Sequence, residues 1–112
     1  MRIAFTSTGK EWNSKMDPRF GRTQFIFLYD EEADEITVVD NQEIDQVAHG
    51  AGPKTAGKLM ELEPDVLITG NGPGGNAGRV LQQAGLPVYA GAGQMTVRQA
   101  YEAFINSELD RF

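Results

Sequence analysis

Three Gly-x-Gly triplets recur at nearly equal spacing through the second half of this chain: Gly50-Ala51-Gly52, Gly70-Asn71-Gly72 and Gly91-Ala92-Gly93. Each stands just ahead of a segment with helical apolar spacing. The first two run on into Pro53 and Pro73, then into Ala56-Gly57-Lys58 and Ala77-Gly78-Arg79. Glycine lets backbone N–H groups approach a ligand closely, and the first N–H groups of a helix have no partner within it. Repeated strand–turn–helix units of this kind point to an α/β sheet with its helix starts along one edge.

The elements around the triplets follow from periodicity. Arg2 to Ser7 reads as a strand with Ile3 and Phe5 on one face. A polar loop of about 15 residues, Thr8 to Arg22, is long for a compact domain, and such loops often carry function. Gln24 to Tyr29 and Glu35 to Val39 are strands joined by the short acidic turn Asp30 to Asp34, which makes them an antiparallel hairpin with a solvated tip. Pro53 suits the first position of a helix carrying Ala56, Leu59 and Met60. Asp65 to Thr69 is an apolar run suited to a strand buried on both faces. Ala77, Val80, Leu81 and Ala84 mark a second helix, stopped by Gly85. Pro87 to Ala90 is a short last strand. Thr96 caps a third helix, and Gln99 completes a capping box. The polar tail from Asn106 onward is expected to fray.

The order is therefore β-β-β-α-β-α-β-α. Strand–helix–strand crossovers make their strands parallel and are right-handed. The expected fold is a three-layer α/β domain spanning residues 1–112. It has a five-stranded mixed sheet of order 3-2-1-4-5, strand two antiparallel, and helices on both faces. Four loops, Thr8–Arg22, Asn41–Gly52, Gly70–Gly75 and Gly91–Met95, then share one edge, with the reversal of strand order between strands one and four. This order resembles a ribonuclease-H-like sheet. Nucleases of that kind place an acidic residue in the first strand; Ile3-Ala4-Phe5-Thr6 has none, which argues against two-metal chemistry.

Composition narrows the function. Cysteine is absent from the 112 residues, which removes disulfides, thiolate ligation and thiol catalysis. The formal net charge of −6 argues against a general nucleic-acid surface. The apolar runs are too short to span a membrane, and the N-terminus has no signal-peptide pattern, so a cytoplasmic protein is the default expectation.

The candidate site is an anion-binding edge. Gly50, Gly52, Gly70, Gly72, Gly74, Gly75, Gly91 and Gly93 would bring N–H donors to it, and helix starts favour negative charge. Arg19 and Arg22, flanking Phe20 and Gly21, suit bidentate binding of carboxylate or phosphate. The alternative is that the two arginines pair with Asp17 or the acidic hairpin, and that the glycines only make tight turns. Gly70-Asn71-Gly72-Pro73-Gly74-Gly75 formally matches the dinucleotide fingerprint. The required carboxylate about twenty residues on is missing, however, and Pro73 removes an N–H donor. His49, the single histidine, lies at the rim and is the candidate metal contact. Met16 and Met95 are read as packing residues.

Together these residues resemble the dinitrogenase iron–molybdenum cofactor biosynthesis family over almost the whole chain. The resemblance rests on the Met1–Ser7 strand, Asp17-Pro18-Arg19-Phe20-Gly21-Arg22, and His49-Gly50-Ala51-Gly52-Pro53-Lys54. Asp65 to Gly70 with Gly72-Pro73, and Ala84-Gly85-Leu86-Pro87-Val88-Tyr89, complete it. It implies a ribonuclease-H-like fold without nuclease activity, and a carrier of the iron–molybdenum cofactor or a related iron–sulfur cluster. Where the nitrogenase carriers have His-Phe-Gly, this chain has Arg19-Phe20-Gly21. The residue that would touch the cluster is thus one that cannot ligate metal, which leaves His49.

The expected function is non-catalytic: binding or carrying an anionic metallocluster or a related anionic small molecule, with a possible protein partner in delivery. The rival is a protein–protein interaction or regulatory module of the same fold acting without a cluster, through an edge strand. An enzyme on a phosphorylated substrate is a third reading, with no second catalytic group to support it.

Overall fold

A computed structural model describes residues 1–112, the Asp45 side chain excepted. The strands are β1 (Arg2–Ser7), β2 (Phe25–Asp30), β3 (Glu35–Asp40), β4 (Val66–Ile68), β5 (Val88–Ala90) and β6 (Asp110–Arg111). The helices are α1 (Ala51–Glu61), α2 (Gly75–Gln83) and α3 (Val97–Ile105), and a short 3-10 helix covers Gln42–Gln46. All six strands form one sheet of order β3-β2-β1-β4-β5-β6. β1 lies antiparallel to β2 and parallel to β4; β4 and β5 are parallel, and β2 and β3 form the hairpin.

The sheet has six strands, against the five expected. The tail does not fray: Arg111 pairs with Tyr89 and Asp110 with Ala90, antiparallel. Two residues give too short a period to be read as a strand, and β5 supplies an edge that a neighbouring chain segment can complete. Two helix starts also differ. α1 begins at Ala51, which puts Pro53 third in the helix, still where its missing N–H costs nothing. α2 begins at Gly75 rather than near Ala77, because Gly74 takes the extended conformation of an N-cap.

Alternation along β1 sorts the core. Ala4 joins Ile26, Leu28, Leu67 and Val88 beneath α1 and α2, where Ala56, Leu59, Ala77 and Leu81 close the layer. Ile3 and Phe5 face the other way with Phe27, Val66 and Ile68, packed by Val97 and Ala100 of α3. Burying each such large side chain is worth about 1.5–3 kcal/mol. The α3 helix shows the capping box expected of Thr96 and Gln99.

The Thr8–Arg22 loop divides in two. Its first half is structural. Lys15 bridges Thr96, Met16 bridges Ser7, and Trp12 stacks edge-on against Phe5, Phe27 and Tyr29. Met16 is buried in this layer, as a packing residue should be. The second half, from Asp17, turns toward the C-terminal ends of β1 and β4.

Candidate functional site

A cavity of about 450 Å³ opens at that edge, lined by Arg19, Gly21, Arg22, Gly50–Pro53 and Gly74–Ala77. It lies where the loops following β1 and β4 meet the start of α1, beside the reversal of strand order, the usual ligand position in such sheets.

Two helices start here. In α1 the first helical bond is Lys54 N–H to the Gly50 carbonyl at 3.1 Å, and in α2 it is Gly78 N–H to the Gly74 carbonyl at 2.7 Å. The N–H groups of Ala51 and Gly52, and of Gly75, Asn76 and Ala77, precede those bonds. Neither N-cap makes a side-chain capping bond, and neither helix has an acidic residue in its first turn. Two helix N-termini without carboxylates therefore converge on one cavity, and their partial positive charges add there.

Close glycine packing brings them together. A Cβ on Gly52 would sit 3.0 Å from the Ala77 Cβ, so α1 approaches α2 only because position 52 is bare. Gly50, at φ +78°, holds the left-handed turn into α1. The Asp17–Arg22 segment is tied to the strand ends. Thr6 Oγ1 meets Thr69 Oγ1 at 3.0 Å and donates to the Asp17 carbonyl at 2.7 Å, and Asn71 N–H donates to the Pro18 carbonyl at 2.7 Å. Thr55 Oγ1 donates to the Gly21 carbonyl at 2.6 Å and receives Asn41 Nδ2 at 3.0 Å.

The two arginines behave differently. Buried Asp17 accepts from the backbone N–H and Nε of Arg19, at 3.1 and 3.2 Å, and from Gln24 N–H at 3.0 Å. The carboxylate orients Arg19 at the rim and offsets part of its charge. Arg22 donates Nη1 to the Ile44 carbonyl and Nη2 to the Val47 carbonyl, each at 3.0 Å. It lines the cavity while clamping the end of the 3-10 helix. Among the described residues, Arg19 pairs with Asp17, as the sequence-based alternative has it, and Arg22 donates to the Ile44 and Val47 carbonyls.

The structure brings Arg19, Gly21, Arg22, Gly50, Gly52, Gly74 and Gly75 to the cavity and leaves six other expected residues out of its lining. Phe20 is in the core under α1 and α2. His49 is exposed, one residue before the α1 N-cap. Gly70 is buried where a Cβ would lie 2.6 Å from Pro18 Cα and 2.9 Å from Gly93 Cα, so Gly70 and Gly93 let three backbone segments cross. Gly91 donates its N–H to the Gly70 carbonyl at 2.9 Å. Gly72 is covered by the Phe112 ring. Sequence reasoning missed Ala51, Pro53, Asn76 and Ala77 as lining residues; the signal available was their place in the first turns of α1 and α2.

A second, larger cavity of about 540 Å³ lies across the Gly74–Gly75 turn, bounded by α2, β5 and the C-terminal residues. Among the described residues no group of three or more His, Cys, Asp or Glu could hold a metal ion. No helix is long and apolar enough to cross a membrane.

The profile of the dinitrogenase iron-molybdenum cofactor family matches residues 1–107. Among solved structures, the apo form of the orange protein from Desulfovibrio gigas superposes with a TM-score of 0.92 at 34% identity, over 99% of this chain and 92% of that one. A NifB-like protein of the DUF35 family from Thermotoga superposes with a TM-score of 0.82 at 36% identity, over 98% of this chain and 91% of the other. No curated protein matches the sequence significantly.

Proposed function

Because this chain belongs to the dinitrogenase iron-molybdenum cofactor family, we propose that it is a non-catalytic binding or carrier protein. Its cargo would be an anionic metallocluster of the iron–molybdenum cofactor or precursor type, or a related anionic small molecule. The observation that carries this reading is the meeting of two helix N-termini, free of carboxylates, at one cavity with Arg19 and Arg22. In that setting the N–H groups of Gly52, Gly75, Asn76 and Ala77 hold the anionic periphery, and Arg19 supplies a charge-assisted contact at the rim. The donor set suits the outer atoms of such a cargo rather than coordination of its metal by side chains. His49, next to the α1 N-cap, is the residue retained as a candidate for direct metal contact. The reading is non-catalytic because β1 carries no carboxylate and, among the described residues, no nucleophile–base pair lines the cavity.

A carrier must also hand over its cargo. β3 is an edge strand, exposed over Glu35–Thr37, and is the segment we assign to a protein partner in delivery.

The test is anaerobic titration with isolated iron–molybdenum cofactor, comparing the parent with Gly75→Asp. A Cβ at position 75 meets nothing within 4 Å, so the variant fits. Its carboxylate at the first position of α2 favours the helix by about 0.3–1 kcal/mol yet repels an anion. Affinity is expected to fall at least about tenfold with no loss of stability, and parent affinity to fall as salt rises. Equal binding by Gly75→Asp would remove the basis for the anion reading.

A further inference from the structure

The turn that joins β4 to α2 is gripped from outside by the C-terminal residues. A Cβ at position 72 would fall within the Phe112 ring, against Cε1, Cδ1 and Cζ. The ring is brought there by β6, paired with Tyr89 and Ala90, and by the Phe112 N–H, which donates to the Val88 carbonyl at 2.7 Å. Phe112 remains 61% exposed, so burial alone does not explain its place; contact with bare Gly72 and the backbone bond do.

The turn needs such a partner. Asn71 N–H is tied to Pro18, and Pro73 is buried, but beyond it Gly74 and Gly75 have open space where side chains would be. Consecutive glycines carry high backbone freedom. They also separate the two cavities: Gly74 and Gly75 line both, whereas Phe112 lines only the larger. The position of this turn therefore sets where the first N–H groups of α2 face the smaller cavity. The strap lies beyond residue 107, outside the segment matched to the family.

We propose that Phe112 is a positioning residue: its ring and β6 form a strap that holds the Gly72–Gly75 turn and so aligns the anion-facing start of α2. The strap's hold on the turn is independent of any ligand. Its effect on affinity rests on the anion-binding reading above.

The experiment uses the full chain and the variants Phe112→Ala, Phe112→Leu, Gly72→Ala and the double variant Gly72→Ala with Phe112→Ala. Nitrogen-15 relaxation at Gly74 and Gly75 reports the turn directly. Order parameters near about 0.85 in the parent should fall toward about 0.6 in Phe112→Ala, with Phe112→Leu between. Gly72→Ala should displace the ring and give the same loss, whereas in the double variant it should add little to Phe112→Ala, because the space is then vacant. Titration with molybdate, a compact dianion, should show affinity lowered about tenfold in Phe112→Ala, the scale of ordering a mobile turn on binding. Unchanged order parameters in Phe112→Ala, or effects of the two substitutions that add in full, would overturn the strap. A loosened turn with unchanged molybdate affinity would overturn its role in binding. If the parent binds neither molybdate nor cofactor, the functional reading fails and the relaxation data alone decide the strap.

Discussion

Gly21 rests directly on Gly52: a Cβ added to Gly21 would lie 3.1 Å from both the Cα and the backbone nitrogen of Gly52. The arginine-bearing loop and the start of α1 thus meet backbone to backbone. Gly21→Ala must push α1 away, because no flexible side-chain end is there to yield. Overpacking of this kind costs about 1–3 kcal/mol. Urea denaturation should show a lower midpoint at unchanged slope, and the anionic probe should bind more weakly, since Gly52 is displaced from the cavity wall.

Arg22 should prove to be more a clamp than a ligand. Its two bonds to the Ile44 and Val47 carbonyls are charge-assisted and half-buried. Arg22→Ala should lower stability by about 1.5–3 kcal/mol. Arg22→Lys should recover little of it, because one ammonium does not reproduce the planar fork that reaches both carbonyls. Thermal denaturation of the two variants would decide this; a near-wild-type Arg22→Lys would assign the role to charge alone.

Thr55 is the hinge of a buried relay. Its hydroxyl links the Gly21 carbonyl to Asn41 Nδ2, and Asn41 Oδ1 has no partner among the described residues. Thr55→Val keeps the shape and removes the hydroxyl, leaving a carbonyl and an amide N–H unpaired. The expected loss is about 1–3 kcal/mol. Thr55→Ser, which keeps the oxygen, should lose less than Thr55→Val in the same measurement.

Tyr101 donates to Glu31 Oε2 at 2.6 Å, joining α3 to the β2–β3 turn. That bond, with burial and the nearby carboxylate, pushes its pKa up to about 12 from an ordinary 10.0. A folded-state pKa above the unfolded one means stability that is complete below about pH 10 and is lost as pH rises through about 12. Absorbance titration of the phenolates should show a late-ionising tyrosine that disappears in Tyr101→Phe. The same variant should flatten the fall in stability between those pH values.

The strand order beside the site was readable before any coordinates. Ile3 and Phe5 alternate with Ala4, Asp65 to Thr69 is uniformly apolar, and Thr96 with Gln99 forms a capping box. Each of these signals is local, confined to a few neighbouring residues, and local geometry does not depend on what packs against it. The crossover rules then carried β1, β4 and β5 to one parallel set. β6 was not readable, because two residues carry no period and its pairing depends wholly on β5 being an open edge.

The site divides in the same way. Glycines ahead of helices announced bare helix starts, and those at 50, 52, 74 and 75 do line the cavity. Gly70 and Gly93 carry the same sequence signal and serve a different purpose, close crossing against Pro18. Nothing within the triplets distinguishes the two uses, since the neighbour that makes a Cβ impossible comes from a distant segment.

The amino-acid order alone determined the first five strands, the three α-helices, the α3 cap and the α/β class, because these follow from side-chain periodicity and backbone chemistry within a few residues. Tertiary structure decided which glycines face open space, that Arg22 clamps carbonyls while Arg19 is oriented by Asp17, and that Phe112 closes over Gly72. Those outcomes depend on contacts between residues far apart in the chain, and only the folded arrangement of the sheet and its two helix layers brings them within reach.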